Sequence, residues 1–447
     1  MRIVKTAAIA AALLAPAAQA QLRLPTVSLP SLPLQGLTQA VNQTGIESLD
    51  ELSSLRRTAI AALIRGNRRI LEADPHGEPM VRGEVLALSP TDSVLSSAAA
   101  LGFVPLREQS SAELGLKLVV LQAPAKWSTA EALKKLRAAN PAGVFDFNHI
   151  YTGSGSSDVS NTATSSAAVP PVQSSIADAS AADASVADGH GSQPYRVGLI
   201  DSGVDVSHIA FHASAVHTWG CAGRSVPNAH GTAVASVLVG QAQDFHGVLP
   251  GAQLYAANVY CDSPTGGAVD ELAAAFGWLA HEKVAVINVS LVGPDNAALG
   301  QIVRSLTSRG YLLIAAVGND GPAAPPLYPA SYPKVVGVTA VDAHRHVLIE
   351  AARGKQVMFA APGADMAAAT LANEYADVRG TSFAAPIVAG ILAKDVSAPD
   401  LNTADGAVDA LSKRAIDLGP SGRDLTYGFG LVGAEYPVAP AGLVHKH

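Results

Sequence analysis

The strongest periodicities lie between residues 48 and 151. Leu52, Leu55, Ala59, Leu63 and Ile64 fall on one stripe of a 3.6-residue repeat, which predicts an amphipathic helix. Ser48 and Glu51 have capping-box spacing, Asp50 adds negative charge to the first turn, and Arg65, Arg68 and Arg69 sit at the far end. The pattern then predicts a strand over 81–88, a helix over 91–101, a strand over 116–121, a helix over 128–139 and a strand over 144–151. Ser128 stands three residues before Glu131, again a cap signal. With residues 104–108 as a further strand, this order suits a small α+β domain of the split βαβ, ferredoxin-like kind.

The pattern changes twice more. Residues 152–193 are Ser, Ala, Asp and Gly with almost no large apolar side chain, so they read as a disordered linker open to proteolysis. From residue 195, short continuous apolar runs recur at 197–200, 254–259, 284–289, 312–317 and 335–341. Helical segments at 231–239, 269–281 and 297–308 separate them. Strands buried on both faces and alternating with helices predict an α/β fold, a parallel sheet with helices on both sides.

Composition sharpens this picture. The 447 residues suffice for two or three domains, and 49% hydrophobic with only 15% charged residues excludes a mainly disordered chain. A net charge of −7 gives no reason to expect nucleic acid or an anionic membrane as partner. Arg2 and Lys5, a short apolar run from Ala7 to Leu14, and Ala18-Gln19-Ala20 read as a cleavable signal over 1–20. That predicts a secreted or periplasmic protein without a transmembrane segment. The expected organisation is then an N-terminal extension (21–79) carrying the amphipathic helix, the α+β domain (80–151), the linker (152–193), the α/β domain (194–436) and a tail (437–447). Cys221 and Cys261 could pair in an oxidising compartment or stand as two separate thiols.

Reactive groups in an open α/β sheet collect beyond the carboxyl ends of its strands. Asp201 directly follows the run 197–200; a carboxylate there could orient a histidine or cap its own turn near Gly203. His230, in Asn-Ala-His-Gly-Thr-Ala, precedes a small-residue helix and suits a general base, though one of thirteen histidines decides nothing alone. Asn319, in Val-Gly-Asn-Asp-Gly, could donate its side-chain amide to a developing oxyanion or serve as a turn residue. Ser382, in Gly-Thr-Ser-Phe-Ala-Ala-Pro, opens a helix whose free N–H groups would help bind an O⁻; an ordinary cap serine looks the same in isolation. Pro386 fixes that helix start close to Ser382.

Together these four strings resemble the subtilisin-like serine proteases, in the order Asp, His, Ser, over residues 195–436. The domain at 80–151 resembles the inhibitory propeptide that precedes such catalytic domains. The resemblance implies an exported serine endopeptidase made as a precursor. Asp201, His230 and Ser382 would be its triad, Asn319 its oxyanion donor, peptides its substrates, and its own propeptide an intramolecular inhibitor. No cofactor or metal is needed for the chemistry, and no compact Asp-rich loop predicts structural calcium. Ser290, Leu291, Val292 and Gly293, with the loop 262–267, would border an extended substrate.

Departures from the family pattern are specific. Ala233 stands where a second histidine is common, which implies a packing change rather than lost catalysis. Val292 and Leu327 replace smaller residues near the pocket for the side chain before the cleaved bond, which predicts a preference for Ala or Ser. An esterase of the α/β-hydrolase kind is disfavoured, because the chain has no Gly-x-Ser-x-Gly elbow. A catalytically silent binding or scaffold protein on the same fold remains the alternative, and a serine-directed fluorophosphonate would discriminate the two.

Overall fold

Successive side chains of a strand point to opposite faces, so one sheet can serve two cores. The N-terminal sheet does this. A computed structural model describes residues 49–153, 155–157, 194–440 and 443, all within one unit spanning Leu32–His447. The expected signal, residues 21–48 and most of the linker lie outside the described residues.

Helix α1 (Leu49–Gly66) and the short strand β1 (Leu71–Ala73) lead into β2 (Pro79–Leu88), α2 (Asp92–Leu101), β3 (Val104–Ser111), β4 (Leu116–Gln122), α3 (Thr129–Ala139) and β5 (Val144–Gly153). These strands pair antiparallel in the order β5-β2-β4-β3, the ferredoxin-like arrangement. Thr91 caps α2, and Ser128 and Glu131 form a reciprocal capping box on α3. Val85, Ala87, Val119 and Leu121 join Leu133 and Leu136 of α3 in one core. Their neighbours Leu86, Leu88, Leu118 and Val120 face the other way, into a core shared with the α/β domain. Double-sided burial explains why 85–88 and 118–121 read as unbroken apolar runs.

After β6 (Gly155–Ser157) the α/β domain follows. It runs β7 (Arg196–Asp201), β8 (Ala215–Trp219), α4 (Ala229–Val239), the hairpin β9 (Gln241–Ala242) and β10 (Phe245–His246), β11 (Gln253–Asn258), β12 (Gly267–Ala268) and α5 (Val269–His281). Then come β13 (Val286–Val289), β14 (Leu291–Val292), α6 (Ala297–Thr307), β15 (Leu312–Ala316), β16 (Val336–Val341), β17 (Val357–Pro362), β18 (Met366–Ala369), β19 (Tyr375–Gly380), α7 (Thr381–Ala393) and α8 (Leu401–Arg414). Seven strands form one parallel sheet in the order β17-β16-β15-β13-β7-β11-β8. Leu199 shares a core with Ala233 of α4 and Phe383 of α7, while Ile200 shares one with Phe276 of α5 and Leu299 of α6. Helices thus cover both faces, and the carboxyl ends of β7, β13 and β15 deliver Asp201, Ser290 and Asn319 to one edge.

Two differences from the sequence pattern bear on the site. Strand β5 runs two residues past 151, and β6 follows at once, so the start of the expected linker is paired backbone. Its partners come from the α/β domain, which composition cannot reveal. Helix α4 begins at Ala229 rather than 231, because Asn228 caps it by accepting from the His230 N–H. His230 therefore sits in the first helical turn.

Candidate active site

Asp201 ends β7 and is fully buried, so its charge needs partners. Its Oδ1 accepts from the Ser202 N–H at 2.6 Å, the Ser202 hydroxyl at 2.9 Å and His230 Nδ1 at 2.8 Å. A proton on Nδ1 makes Nε2 the basic nitrogen of a neutral ring. That buried Nε2 has no hydrogen-bond partner among the described residues. Gly231 makes the approach of α4 feasible: a Cβ there would stand 2.4 Å from the Ser202 carbonyl oxygen.

Ser382 lies in the first turn of α7, and Phe383 beside it packs its ring 5.7 Å from that of His230. The Ser382 hydroxyl donates to the Ser290 carbonyl at 3.2 Å. Pro386 lacks the N–H that would bond the Ser382 carbonyl along the helix. The Ser290 hydroxyl donates to that carbonyl instead, at 2.9 Å, while accepting from Asn288 Nδ2 at 2.9 Å. Asn319 Oδ1 accepts from the Thr381 N–H at 3.1 Å, which pins the amide against the start of α7. Its buried Nδ2 finds no acceptor among the described residues. The carboxylate, imidazole, hydroxyl and amide named from sequence thus gather at one sheet edge.

The cleft beside them is a pair of short strands. Gly293 exchanges two backbone hydrogen bonds of 2.9 Å with Tyr328, joining the β14 segment to the Leu327 loop. Leu327 is buried, and a Cβ on Gly318 would meet its Cδ1 at 2.4 Å and Val292 Cγ1 at 3.6 Å. The space next to Asn319 is therefore filled from below by Leu327 and Val292. A disulfide joins Cys221, after β8, to Cys261 in the loop leading to β12. Among the described residues no group of three or more His, Cys, Asp and Glu side chains is placed to hold a metal ion.

Strand β5 enters this cleft. Ile150 and Tyr151 pair antiparallel with Ala268 and Gly267 on one side, and Thr152 and Gly153 with Val292 and Leu291 on the other. A Cβ on Gly153 would stand 3.2 Å from His230 Cε1 and Nε2. Beyond the cleft, β6 pairs with β19, Gly155 opposite Gly380 and Arg379 opposite Ser156. Tyr151 is fully buried, its ring against Gly293 and its hydroxyl donating to the Pro294 carbonyl. Burial pushes its phenol well above the ordinary value. Tyr151, Gly153 and Gly318 were not singled out from sequence. Only the pairing of β5 with two segments far along the chain reveals them.

The Subtilase family profile matches residues 193–430, more than half of the chain. The chain belongs to the subtilase family of serine endopeptidases. It is 32% identical over 255 residues to subtilisin DY of Bacillus licheniformis, covering 55% of this chain and 92% of that one. It is 30% identical over 244 residues to the minor extracellular protease Epr of Bacillus subtilis (strain 168), covering 53% of this chain but 37% of that relative. The crystal structure of fervidolysin from Fervidobacterium pennivorans aligns with a TM-score of 0.62 at 18% identity, over 84% of this chain and 63% of its own. That likeness concerns the fold and reaches further along this subtilase than the family profile does.

Proposed function

We propose that this subtilase is an exported endopeptidase made as a precursor, and that its first substrate is its own chain at Ser154–Gly155. One observation carries the reading: β5 lies antiparallel in the cleft with Gly153 against the His230 ring, and β6 resumes on the far side at Gly155. The described residues on either side, Gly153 opposite Leu291 and Gly155 opposite Gly380, bracket the start of α7 and its Ser382. The signal-like residues 1–20 support export, and among the described residues no helix is long and apolar enough to cross a membrane.

In this reading Ser382 Oγ attacks the Ser154 carbonyl carbon as His230 Nε2 takes the hydroxyl proton. Asp201 holds the imidazole through Nδ1 and stabilises the imidazolium. Asn319 Nδ2 and the Ser382 N–H bind the oxyanion. The proton then passes to the Gly155 nitrogen, which leaves as the amine. Water, deprotonated by His230, hydrolyses the acyl ester and restores the hydroxyl. Leu327 and Val292 limit the pocket's depth, which favours Ser or Ala before the cut.

The test is to purify the full chain and its Ser382→Ala variant and sequence the N-termini. The wild type should yield a new terminus at Gly155 and label with a fluorophosphonate, while the variant stays whole and unlabelled. A wild type that stays intact and unlabelled would overturn the reading.

A further inference from the structure

Helix α1 lies outside the four-stranded N-terminal sheet, yet it carries a buried charge. The Arg56 guanidinium forms two hydrogen bonds with Glu78, at 2.7 and 2.8 Å, and its Nε donates to Asp320 at 2.5 Å. Glu78 belongs to the turn before β2, whereas Asp320 belongs to the α/β domain and directly follows Asn319. The three side chains are only 11–14% exposed. One cation therefore joins two carboxylates from opposite sides of the domain boundary, next to the proposed oxyanion donor. Burial holds the Asp320 carboxyl above its ordinary value, with Arg56 opposing the rise. Without Arg56, Glu78 and Asp320 would face each other as two buried like charges, an arrangement that opposes docking.

From this geometry we infer that helix α1 is a latch, with Arg56 fastening the N-terminal segment to Asp320 so that the segment leaves slowly after the chain is cut. The inference rests on the precursor reading above and adds a second anchor, separate from the cleft strand. Loss of one partner from a buried charge cluster acts mainly on dissociation. The cut leaves Arg56 on the departing segment, so mature enzyme from an Arg56 variant is chemically identical to wild type.

The experiment follows two signals from the full-length chain in parallel: the cut on a gel, and hydrolysis of a small peptide that needs an open cleft. Arg56→Gln should be cut at the wild-type rate but gain activity on the order of tenfold sooner or more. Arg56→Lys, which keeps the charge but loses the fork that bonds Glu78 twice and Asp320 once, should give a lag between those of the wild type and Arg56→Gln. Asp320→Asn, scored against its own final rate, should shorten the lag as Arg56→Gln does. Normal cutting with an unchanged lag in Arg56→Gln overturns the latch alone. Failure of Arg56→Gln to cut makes Arg56 a folding residue and also overturns the latch. A wild-type chain that never cuts itself overturns the precursor reading together with the latch built on it.

Discussion

The link from Ser290 to Ser382 offers a test of how the proposed nucleophile is held. Pro386 leaves the Ser382 carbonyl without its helical donor, and the Ser290 hydroxyl supplies one at 2.9 Å, with both residues fully buried. Ser290→Ala removes that donor, and an unpaired buried carbonyl costs about 1–3 kcal/mol. Expressed entirely at the transition state, this is about a 5- to 150-fold loss of kcat. The Ser290 carbonyl, which borders the cleft, is backbone and survives the change, so KM should hardly move. Steady-state kinetics on a short peptide, with thermal unfolding of each variant, separates the effects. A second background sharpens the test: Pro386→Ala restores a helical N–H for the Ser382 carbonyl, so Ser290→Ala should cost less kcat there. The reasoning fails if Ser290→Ala lowers the melting temperature with kcat unchanged, or if its penalty is the same in both backgrounds.

Two further outcomes are expected. Leu327→Ala should open the space beneath Gly318 and raise kcat/KM for Leu before the cut, relative to Ala, by about tenfold or more; an unchanged peptide-library profile would show that Leu327 does not limit the pocket. His281, at the end of α5, donates through Nδ1 at 2.8 Å to Glu113 of the N-terminal domain, and this bond holds the imidazole above its ordinary value. A raised imidazole contributes stability that is fully present below about 6.5 and is lost as pH rises through the higher folded value. NMR titration of the uncut Ser382→Ala chain should give a His281 midpoint above that figure, falling back in Glu113→Gln; equal midpoints would refute the contact.

The candidate site was legible as a place in the fold because each of its residues sits in a local string whose backbone role is local too. Asp201 ends an apolar run, Asn319 follows one, and His230 and Ser382 stand at helix starts, so strand and helix signals suffice to put them near one edge. The N-terminal domain was legible through its caps, Thr91 and Ser128, and through runs such as 85–88 that are buried on both faces. Strand β3 was only half visible, because nearly all of its side chains are exposed and no apolar alternation marks it. Thr152, Gly153 and residues 155–157 read as linker because small polar side chains carry no strand signal. Their extended state comes from β14 and β19, each more than a hundred residues further along the chain. Arg56 was hidden for a related reason: on a helix read alone, an arginine beside the apolar stripe belongs to the solvated face. Only docking against Glu78 and Asp320 buries it.

The same contrast bears on the proposed precursor, which would be both stable and self-limiting. An edge strand with unsatisfied N–H and C=O groups invites further pairing. In this chain β5 is the edge of the N-terminal sheet, and its outer side is taken up by β12 and β14 of the α/β domain. The cleft strands are likewise satisfied by β5. Each domain therefore covers the exposed edge of the other, and the covering strand is also the one presented to His230. The proposed cut would not remove those ladder bonds, because Tyr151 and Thr152 lie on its N-terminal side. The N-terminal product of that cut would keep its pairing with β12 and β14, its buried Tyr151 anchor and the polar links Asn148–Asp270 and Asp146–Ala297 at the starts of α5 and α6. On the proposed precursor reading, bond cleavage and cleft opening would thus be separate events, the second governed by how many of these contacts must break together.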